Sequence, residues 1–365
     1  GLNLTPLAFG VIDGLYLGSS ALVRLIAGYW ADRTRRHKEV AVSGYALSAL
    51  SRLGLLVAGG AWPALVTVIL VDRLGKGIRT APRDALISLS SPRADLATAF
   101  GVHRALDTAG AMIGPLIAFG LLTLAPGSFD AIFVVSLCAA LIGLGILTLF
   151  VENRPLPAAG DEPRPQVSPG AVMRLVRTSG FGPLLGVGGL LSLVTISDGF
   201  LYLTLQRRLD FNLGLFPLLY VVTALIYMLL AVPVGKLADR LGRGWVFVGG
   251  YTLLLLLYAL LLLPVMEMPL IVICLVLFGA YYAATDGVLM ALASATLPEE
   301  LRTSGLALLT TVTSLGRLAA SILFGLLWTW LGVGAATLAF AAGLLAAMAL
   351  ALGLLVTRRS EVAGG

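Results

Sequence analysis

Long uninterrupted apolar segments, separated by short polar ones, set the pattern of this 365-residue sequence. Most of the segments have at least the roughly 20 residues that a helix needs to cross the hydrocarbon core of a bilayer. Their apolar residues run continuously and do not alternate with polar ones, which favours helices over the strands of a membrane barrel. The predicted spans lie at residues 5–30, 39–60, 63–88, 97–124, 130–151, 182–206, 213–235, 245–264, 269–293, 304–331 and 333–356. We therefore predict an all-α integral membrane protein in which eleven spans are visible.

Composition agrees with a membrane protein. Hydrophobic residues make up 58% of the chain and charged residues only 12%, whereas soluble domains contain about 25% charged residues. The mean hydropathy is +0.97. The two cysteines, Cys138 and Cys274, lie alone in separate apolar segments, so the sequence predicts neither a disulfide framework nor a metal site.

One charged loop occurs twice. Residues 28–38 read GYWADRTRRHK and residues 235–243 read GKLADRLGR, 207 residues further on. An excess of Arg and Lys is typical of any cytoplasmic loop, but that rule does not explain why Gly and Asp recur at the same spacing. The repeat predicts two similar membrane halves. The shared residues are Gly28, Asp32, Arg33 and Arg36 in the first copy and Gly235, Asp239, Arg240 and Arg243 in the second.

This doubled loop resembles the inter-helix loop motif of the major facilitator superfamily, the twelve-helix secondary transporters. The resemblance implies two six-helix bundles related by a pseudo-twofold axis, with the repeated loops acting as a cytoplasmic gate between them. The span at 182–206 has no counterpart after residue 1, so we expect one helix to be missing at the N-terminus. The predicted domains are a first bundle at 1–151 (family helices 2–6), a cytoplasmic linker at 152–180, a second bundle at 181–357 (family helices 7–12) and a cytoplasmic tail at 358–365.

Basic residues predict the orientation. Fifteen Lys and Arg residues fall in one set of loops together with the C-terminus, and only two fall in the other set. The basic side faces the cytoplasm under the positive-inside rule. We expect a multi-pass protein of the inner cell membrane with a cytoplasmic C-terminus.

Several spans contain charged residues, each of which costs about 2.5–3.5 kcal/mol on insertion scales and is expected to face a cavity. The candidates for a central cavity and for proton coupling are Asp13, Arg73, His103, Arg104, Asp107, Asp198, Asp286 and Arg317. Arg73, followed by two nearby glycines, resembles the family's fourth-helix motif, whose Arg is linked to proton coupling. Asp84 is expected near the basic loop at 33–38, as part of the gate. Asp72, Lys76, Arg79 and Arg83 share one helical face, which we interpret either as a substrate-binding surface or as an interfacial anchor.

The span at 97–124 contains Gly110, Gly114 and Pro115, which resemble the antiporter motif of the family's fifth helix. Small residues allow two helices to approach closely, and a proline bends a helix; a purely structural role remains the alternative interpretation. His103 and Asp107 are four residues apart and are expected to form a hydrogen-bonded pair that changes protonation near neutral pH.

These features favour proton-coupled export of a small organic or amphipathic solute, as in bacterial drug/proton antiporters. The alternatives are uptake or exchange of an anion, facilitated diffusion through the same fold and, less favoured, a non-transporting receptor. The sequence contains no HExxH, GxSxG or GxxxxGK[ST] motif, so we predict no enzymatic activity. We also expect no cofactor, no metal and no nucleic-acid partner, and a monomer in the bilayer.

Overall fold

The computed structural model describes residues 5–58, 61–152, 167–209, 216–264 and 267–354, and in these ranges the regular structure is entirely helical. The helices are α1 (Pro6–Gly18), α2 (Ala21–Thr34), α3 (His37–Ala58), α4 (Trp62–Ser90), α5 (Leu96–Leu124), α6 (Phe129–Phe150), α7 (Pro169–Leu175), α8 (Phe181–Leu193), α9 (Asp198–Leu209), α10 (Phe216–Leu241), α11 (Arg243–Leu261), α12 (Met268–Thr296) and α13 (Arg302–Leu352). Short 3-10 turns at Arg93–Asp95 and Glu299–Leu301 precede α5 and α13.

The helices have the lengths that membrane spans require. Within the described residues, nine helical stretches are long and apolar enough to cross a bilayer. Helix α4 is equally long, at 29 residues, but its charged side chains lower its hydropathy. Helix α13 has 51 residues and is interrupted at Gly332, whose φ of 84° is not helical; at 1.5 Å per residue it is long enough for two crossings of about 30 Å. The predicted all-α architecture is confirmed, and the described helices are long enough for the eleven expected crossings.

Two of the predicted spans are not single helices. The span at 5–30 is divided between α1 and α2 at Ser19, and the span at 182–206 is divided between α8 and α9. At the second break the Tyr258 hydroxyl accepts a hydrogen bond from Ile196 N at 2.7 Å and donates one to Val194 O at 3.0 Å. Backbone polar groups within a membrane must be satisfied by the protein, so this tyrosine stabilises the unwound turn.

Helices from before and after the connector pack directly against each other. Helix α1 lies along α13, and α5 lies along α10. Glycines allow the close approach: a Cβ atom at Gly10 would lie 2.5 Å from Ser321 O, and one at Gly325 would lie 2.6 Å from Pro6 O. Beside them, the ring of Phe200 is 5.0 Å from the rings of both Phe9 and Phe324. The division into bundles at 1–151 and 181–357 stays a prediction; linker residues 153–166 and the whole tail lie outside the described residues.

Candidate substrate cavity and the latches between the halves

The first copy of the repeated loop crosses to the other half through Asp32. Its two carboxylate oxygens accept hydrogen bonds from Thr303 N at 3.1 Å and from Ser304 N at 2.6 Å. These N–H groups belong to the first turn of α13, where they have no partner within their own helix. Asp32 is only 2% exposed, so a buried anion caps a helix N-terminus, where the helix dipole also favours negative charge.

The second copy makes the equivalent contact in the opposite direction. Asp239 on α10 accepts hydrogen bonds from Ala97 N at 3.1 Å and from Thr98 N at 2.8 Å, both in the first turn of α5. The Thr98 hydroxyl donates to the same carboxylate at 2.8 Å. We call these two contacts the latches, and the end of the bundle that contains them the latch end.

The glycine of each copy lies where the two halves touch. A Cβ at Gly28 would lie 2.6 Å from the Cβ of Ala307, and one at Gly235 would lie 2.6 Å from Ala97 O. Real Cβ atoms do not approach other atoms this closely, so any larger residue would force α2 away from α13, or α10 away from α5. The repeated Gly and Asp therefore serve the same contact, which explains why basic-loop composition alone did not account for them.

The basic residues of the two copies behave differently. Arg243 pairs with Asp239 at 2.7 Å and donates to the backbone carbonyls of Arg93 and Ala94. Arg36, its counterpart, is exposed, and in its place the buried His37 lies next to Asp32, with Nδ1 2.9 Å from the Thr303 hydroxyl. Arg33 donates to the Tyr29 hydroxyl at 3.1 Å, and Arg240 is exposed.

Asp84 does not lie at the basic loop, contrary to the sequence-based expectation. Helix α4 continues to Ser90, so Asp84 lies more than a turn inside its end and faces a cavity. There its Oδ1 accepts hydrogen bonds from Arg83 at 2.9 and 3.0 Å. The latch end is instead joined to α4 through Arg302, which donates to the Ser88 hydroxyl at 2.7 Å.

The cavity lies between the two halves and has a volume of about 340 Å³. Helices α2, α4 and α5 line it on one side, and α8, α11, α12 and α13 line it on the other. Six cationic and three anionic side chains reach it: Arg24, Lys76, Arg79, Arg83, Arg104 and Arg317 against Asp84, Asp107 and Asp286. The lining of the cavity thus has an excess of three positive charges.

Two of these cations have polar partners, and one of the partners is an anion. Arg104 forms an ion pair with Asp286 at 3.1 Å across the two halves, and the same carboxylate oxygen accepts a hydrogen bond from the Tyr227 hydroxyl at 3.0 Å. Arg24 donates to Thr310 O at 2.9 Å and to the Ser314 hydroxyl at 3.1 Å on α13. Arg24 was not among the predicted site residues, although an Arg in a membrane span is the signal that could have identified it.

Among the described residues, the side chains of three of these cations have neither an ion pair nor a hydrogen bond, and we call them the unpaired cations. They are Lys76, Arg79, which lies 4.6 Å from the centre of the Tyr45 ring, and Arg317, which lies 5.9 Å from that of Tyr282. Lys76 and Arg79 come from α4 and Arg317 comes from α13. These three unpaired cations line the same cavity from both halves.

The predicted pair of His103 and Asp107 is not formed. His103 Nε2 is buried without a hydrogen-bond partner in the described part of the protein. Asp107, by contrast, is exposed and lines the main cavity and a second cavity of about 220 Å³. The two residues are one turn apart on α5, but no hydrogen bond or ion pair joins their side chains in the described structure. Arg73 lies 3.6 Å from Asp72 and stacks over the Tyr16 ring at 4.7 Å, outside the main cavity.

Asp13 and Asp198 lie beyond Arg317, away from the latch end. Asp198 accepts a hydrogen bond from the Tyr282 hydroxyl, and Asp13 accepts one from the Ser321 hydroxyl. Both line a cavity of about 180 Å³ that Arg317 also reaches. Within the residues that the structure describes, no three His, Cys, Asp or Glu side chains come close enough to hold a metal ion.

The glycines of the fifth-helix motif do not contact another helix in the described structure. Nothing lies within 4 Å of a Cβ built at Gly110 or Gly114, and α5 continues through Pro115 to Leu124. The expected close approach is wrong for these ranges, because this face of α5 points away from α10 and α12. In the same helix Gly101 makes the close contact, against Ala231 O.

Comparison with known proteins identifies the family. The sequence profile described as Major Facilitator Superfamily matches residues 1–225 and again residues 194–364. An uncharacterized MFS-type transporter of Methanocaldococcus jannaschii is 31% identical over 336 residues, which are 88% of this chain and 80% of that protein.

Solved structures show the same fold. The human organic anion transporter MFSD10 superimposes with a TM-score of 0.73 at 14% identity, covering 94% of this chain and 83% of the other. The E. coli fucose:proton symporter superimposes with a TM-score of 0.74 at 14% identity, covering 95% and 90%. The chain belongs to the Major Facilitator Superfamily and is a multi-pass membrane transporter rather than an enzyme.

Proposed function

We propose that this transporter moves a small organic anion by alternating access of the cavity between its two halves. The observation that carries the proposal is the set of unpaired cations, Lys76 and Arg79 from α4 and Arg317 from α13. Like charges that face each other in a partly desolvated cavity repel, and a bound anion removes that cost. An anion that contacts the cations of both α4 and α13 favours the conformation in which these two helices are close. A ligand shifts a two-state equilibrium in this way, by binding one conformation better than the other.

The rest of the cavity wall favours an organic rather than an inorganic anion. Phe247, Tyr251, Leu289 and Met290 line the same 340 Å³ space as the cations. A site with apolar walls and a few convergent charged groups is typical of small-molecule pockets of this size. We infer a solute with one or two negative charges at one end and an apolar body at the other.

The latches supply the conformational part of the proposal. With Asp32 and Asp239 bound to helix N-termini of the opposite half, the latch end is closed. Its basic loops favour a cytoplasmic position at the inner cell membrane, so this conformation would be the outward-facing or occluded state of a monomer. Opening of the latch end requires both carboxylates to leave their helix N-termini.

A binding assay tests the choice of substrate class. The purified protein is screened by thermal shift against pairs of compounds with the same skeleton, one member a carboxylate, phosphate or sulfonate and the other a neutral amide or ester. We expect the anionic members alone to raise the melting temperature, because only they compensate the unpaired cations. Arg317→Gln should remove the shift, whereas Arg240→Gln, which removes an exposed charge outside the cavity, should retain it. Equal shifts for neutral and anionic members would refute an anion site.

Proton-coupled export, as in drug/proton antiporters, is a second candidate. It is supported by Asp107, an exposed carboxylate that has no ion pair in the described structure and lines two cavities, and by the nearby His103, whose Nε2 atom is buried. A carboxylate that can be reached from both cavities is suited to bind a proton in one state and release it in the other. Arg73 is the third residue proposed for coupling.

Flux under a pH gradient tests this candidate. In proteoliposomes, transport should respond to an imposed proton gradient in the wild type and should lose that response in Asp107→Asn, while exchange without a gradient persists. Thr108→Val is a matched neighbour, since the Thr108 hydroxyl bonds only to the backbone of Arg104. An undiminished gradient response in Asp107→Asn would remove this residue from proton coupling.

A further inference from the structure

A groove on the outer surface of the first half has no role in the cavity or the latches. It lies between α2 and α3, with α4 at its base, and has a volume of about 510 Å³. Its apolar wall consists of Val23, Ile26, Trp30, Val40 and Ile78. We propose that this groove, the outer groove, binds an acyl chain of an anionic phospholipid whose headgroup phosphate lies at Arg36.

The groove is lined by the face of α2 that points away from the other half, and this explains why its occupant comes from the bilayer. On α2, Gly28 and Asp32 face α13, whereas Ile26 and Trp30 lie two residues away and therefore on the opposite face, at 100° per residue. Ile26 is 70% exposed and Trp30 is 56% exposed. Because α2 and α3 belong to spans that cross the membrane, the solvent at this face is lipid, and an apolar groove here fits a hydrocarbon chain.

The sharp turn between the helices creates the groove. Arg35 ends α2 in a left-handed conformation, with φ of 57°, and α3 starts two residues later at His37. The helices diverge from this turn, so a wedge-shaped space opens between them, with Ile78 of α4 at its floor.

The end of the groove nearest the turn is polar and basic. Thr34 and Arg36 line it, together with Glu39. Four cations occur within six positions, Arg33, Arg35, Arg36 and Lys38, while the neighbouring Asp32 is buried in the latch. Juxtamembrane basic clusters attract anionic lipids by about 1 kcal/mol per basic residue. The combination of an apolar trough and a basic end matches the two parts of an anionic phospholipid.

Site-specific fluorescence quenching tests the proposal. Bromine on a lipid acyl chain quenches tryptophan at contact, and the contribution of Trp30 is isolated by subtracting the signal of Trp30→Phe from that of the wild type. The protein is reconstituted with brominated phosphatidylglycerol, phosphatidylethanolamine or phosphatidylcholine at equal mole fractions. We expect the apparent association constant at Trp30 for phosphatidylglycerol to exceed that for phosphatidylcholine by about fivefold, the equivalent of one basic residue.

Variants separate the headgroup contact from the chain contact. Arg36→Gln should abolish the preference among headgroups, and Ser43→Phe, which fills the groove without changing its charge, should weaken quenching by all three lipids. Arg174→Gln removes an exposed cation outside the groove and should leave the preference unchanged. Equal quenching by the three lipids, an unchanged preference in Arg36→Gln, or displacement of the lipid by soluble glycerol phosphate would overturn the proposal.

Discussion

Removing the charge of one latch should open the latch end without unfolding the protein. We develop this for Asp239→Asn, which keeps the size of the side chain. The carboxylate accepts three hydrogen bonds from the first turn of α5 and pairs with Arg243 at 2.7 Å. Hydrogen bonds to charged groups contribute about 1.5–3 kcal/mol each, and the helix N-terminus adds about 0.3–1 kcal/mol.

The size of the effect follows from these contacts. An asparagine oxygen at the Oδ2 position can still accept the two bonds from Thr98, but the NH₂ group then faces Ala97 N and Arg243. We therefore expect the closed latch to lose about 3 kcal/mol, which changes the ratio of closed to open conformations roughly a hundredfold. The contacts of the other latch, at Asp32, and the packing of α1 on α13 remain.

Distance measurements between the halves provide the assay. Spin labels are placed at the exposed positions Ser90, at the end of α4, and Leu241, at the end of α10, after replacement of the exposed Cys138. Pulsed dipolar spectroscopy should show a longer-distance population in Asp239→Asn that is minor in the parent protein. Arg240→Gln alters the charge of the next residue and should leave the distribution unchanged. A lower melting temperature with an unchanged distance distribution would show that Asp239 stabilises the fold and does not control opening.

Four further substitutions have predictable outcomes. Arg35→Gly should raise the melting temperature by the equivalent of about 1 kcal/mol. Arg35 has a φ of 57°, a left-handed conformation that costs less for glycine, and the second copy of the loop has glycine at this position. A lower melting temperature would contradict this. Gly28→Leu should destabilise the detergent-solubilised protein by about 1–3 kcal/mol, because the larger side chain overpacks against Ala307. Gly114 has open space around it, so Gly114→Ala should stabilise α5 by about 0.5–1 kcal/mol. Arg104→Gln should lower the free energy of unfolding by about 1–3 kcal/mol, because it leaves Asp286 without its ion-pair partner. Adding Asp286→Asn should recover most of this loss. No recovery would show that the loss of the ion pair does not cause the destabilisation.

The sequence could predict the features that are encoded in local sequence patterns, namely the membrane crossings and the residues of the two latches. Continuous apolar segments defined the crossings, and the recurrence of Gly and Asp in two basic loops singled out the residues that turned out to contact the opposite half. Both signals are local in the chain: a span is set by its own hydropathy, and a latch requires an acceptor and a small residue one helical turn apart.

Other features depended on how helices are rotated and where they end. Asp84 lines the cavity and accepts hydrogen bonds from Arg83 because of the way α4 is rotated, and hydropathy alone cannot tell this rotation. Arg317 forms no ion pair because the neighbouring acids have other partners: Asp198 bonds to Tyr282, Asp13 to Ser321, and Asp286 pairs with Arg104. The break between α8 and α9 is stabilised by Tyr258, about sixty residues further along the chain. No local pattern encodes such a contact.

Transport in proteoliposomes tests the central claim most directly. Exchange of a labelled organic anion, chosen from the compounds that raise the melting temperature, is compared with that of its neutral analogue in the wild type and in Arg317→Gln. We predict saturable exchange of the anion alone, lost in Arg317→Gln and retained in Arg240→Gln. Equal exchange of the anion and its neutral analogue, or full activity in Arg317→Gln, would contradict an anion site formed by cations from both halves.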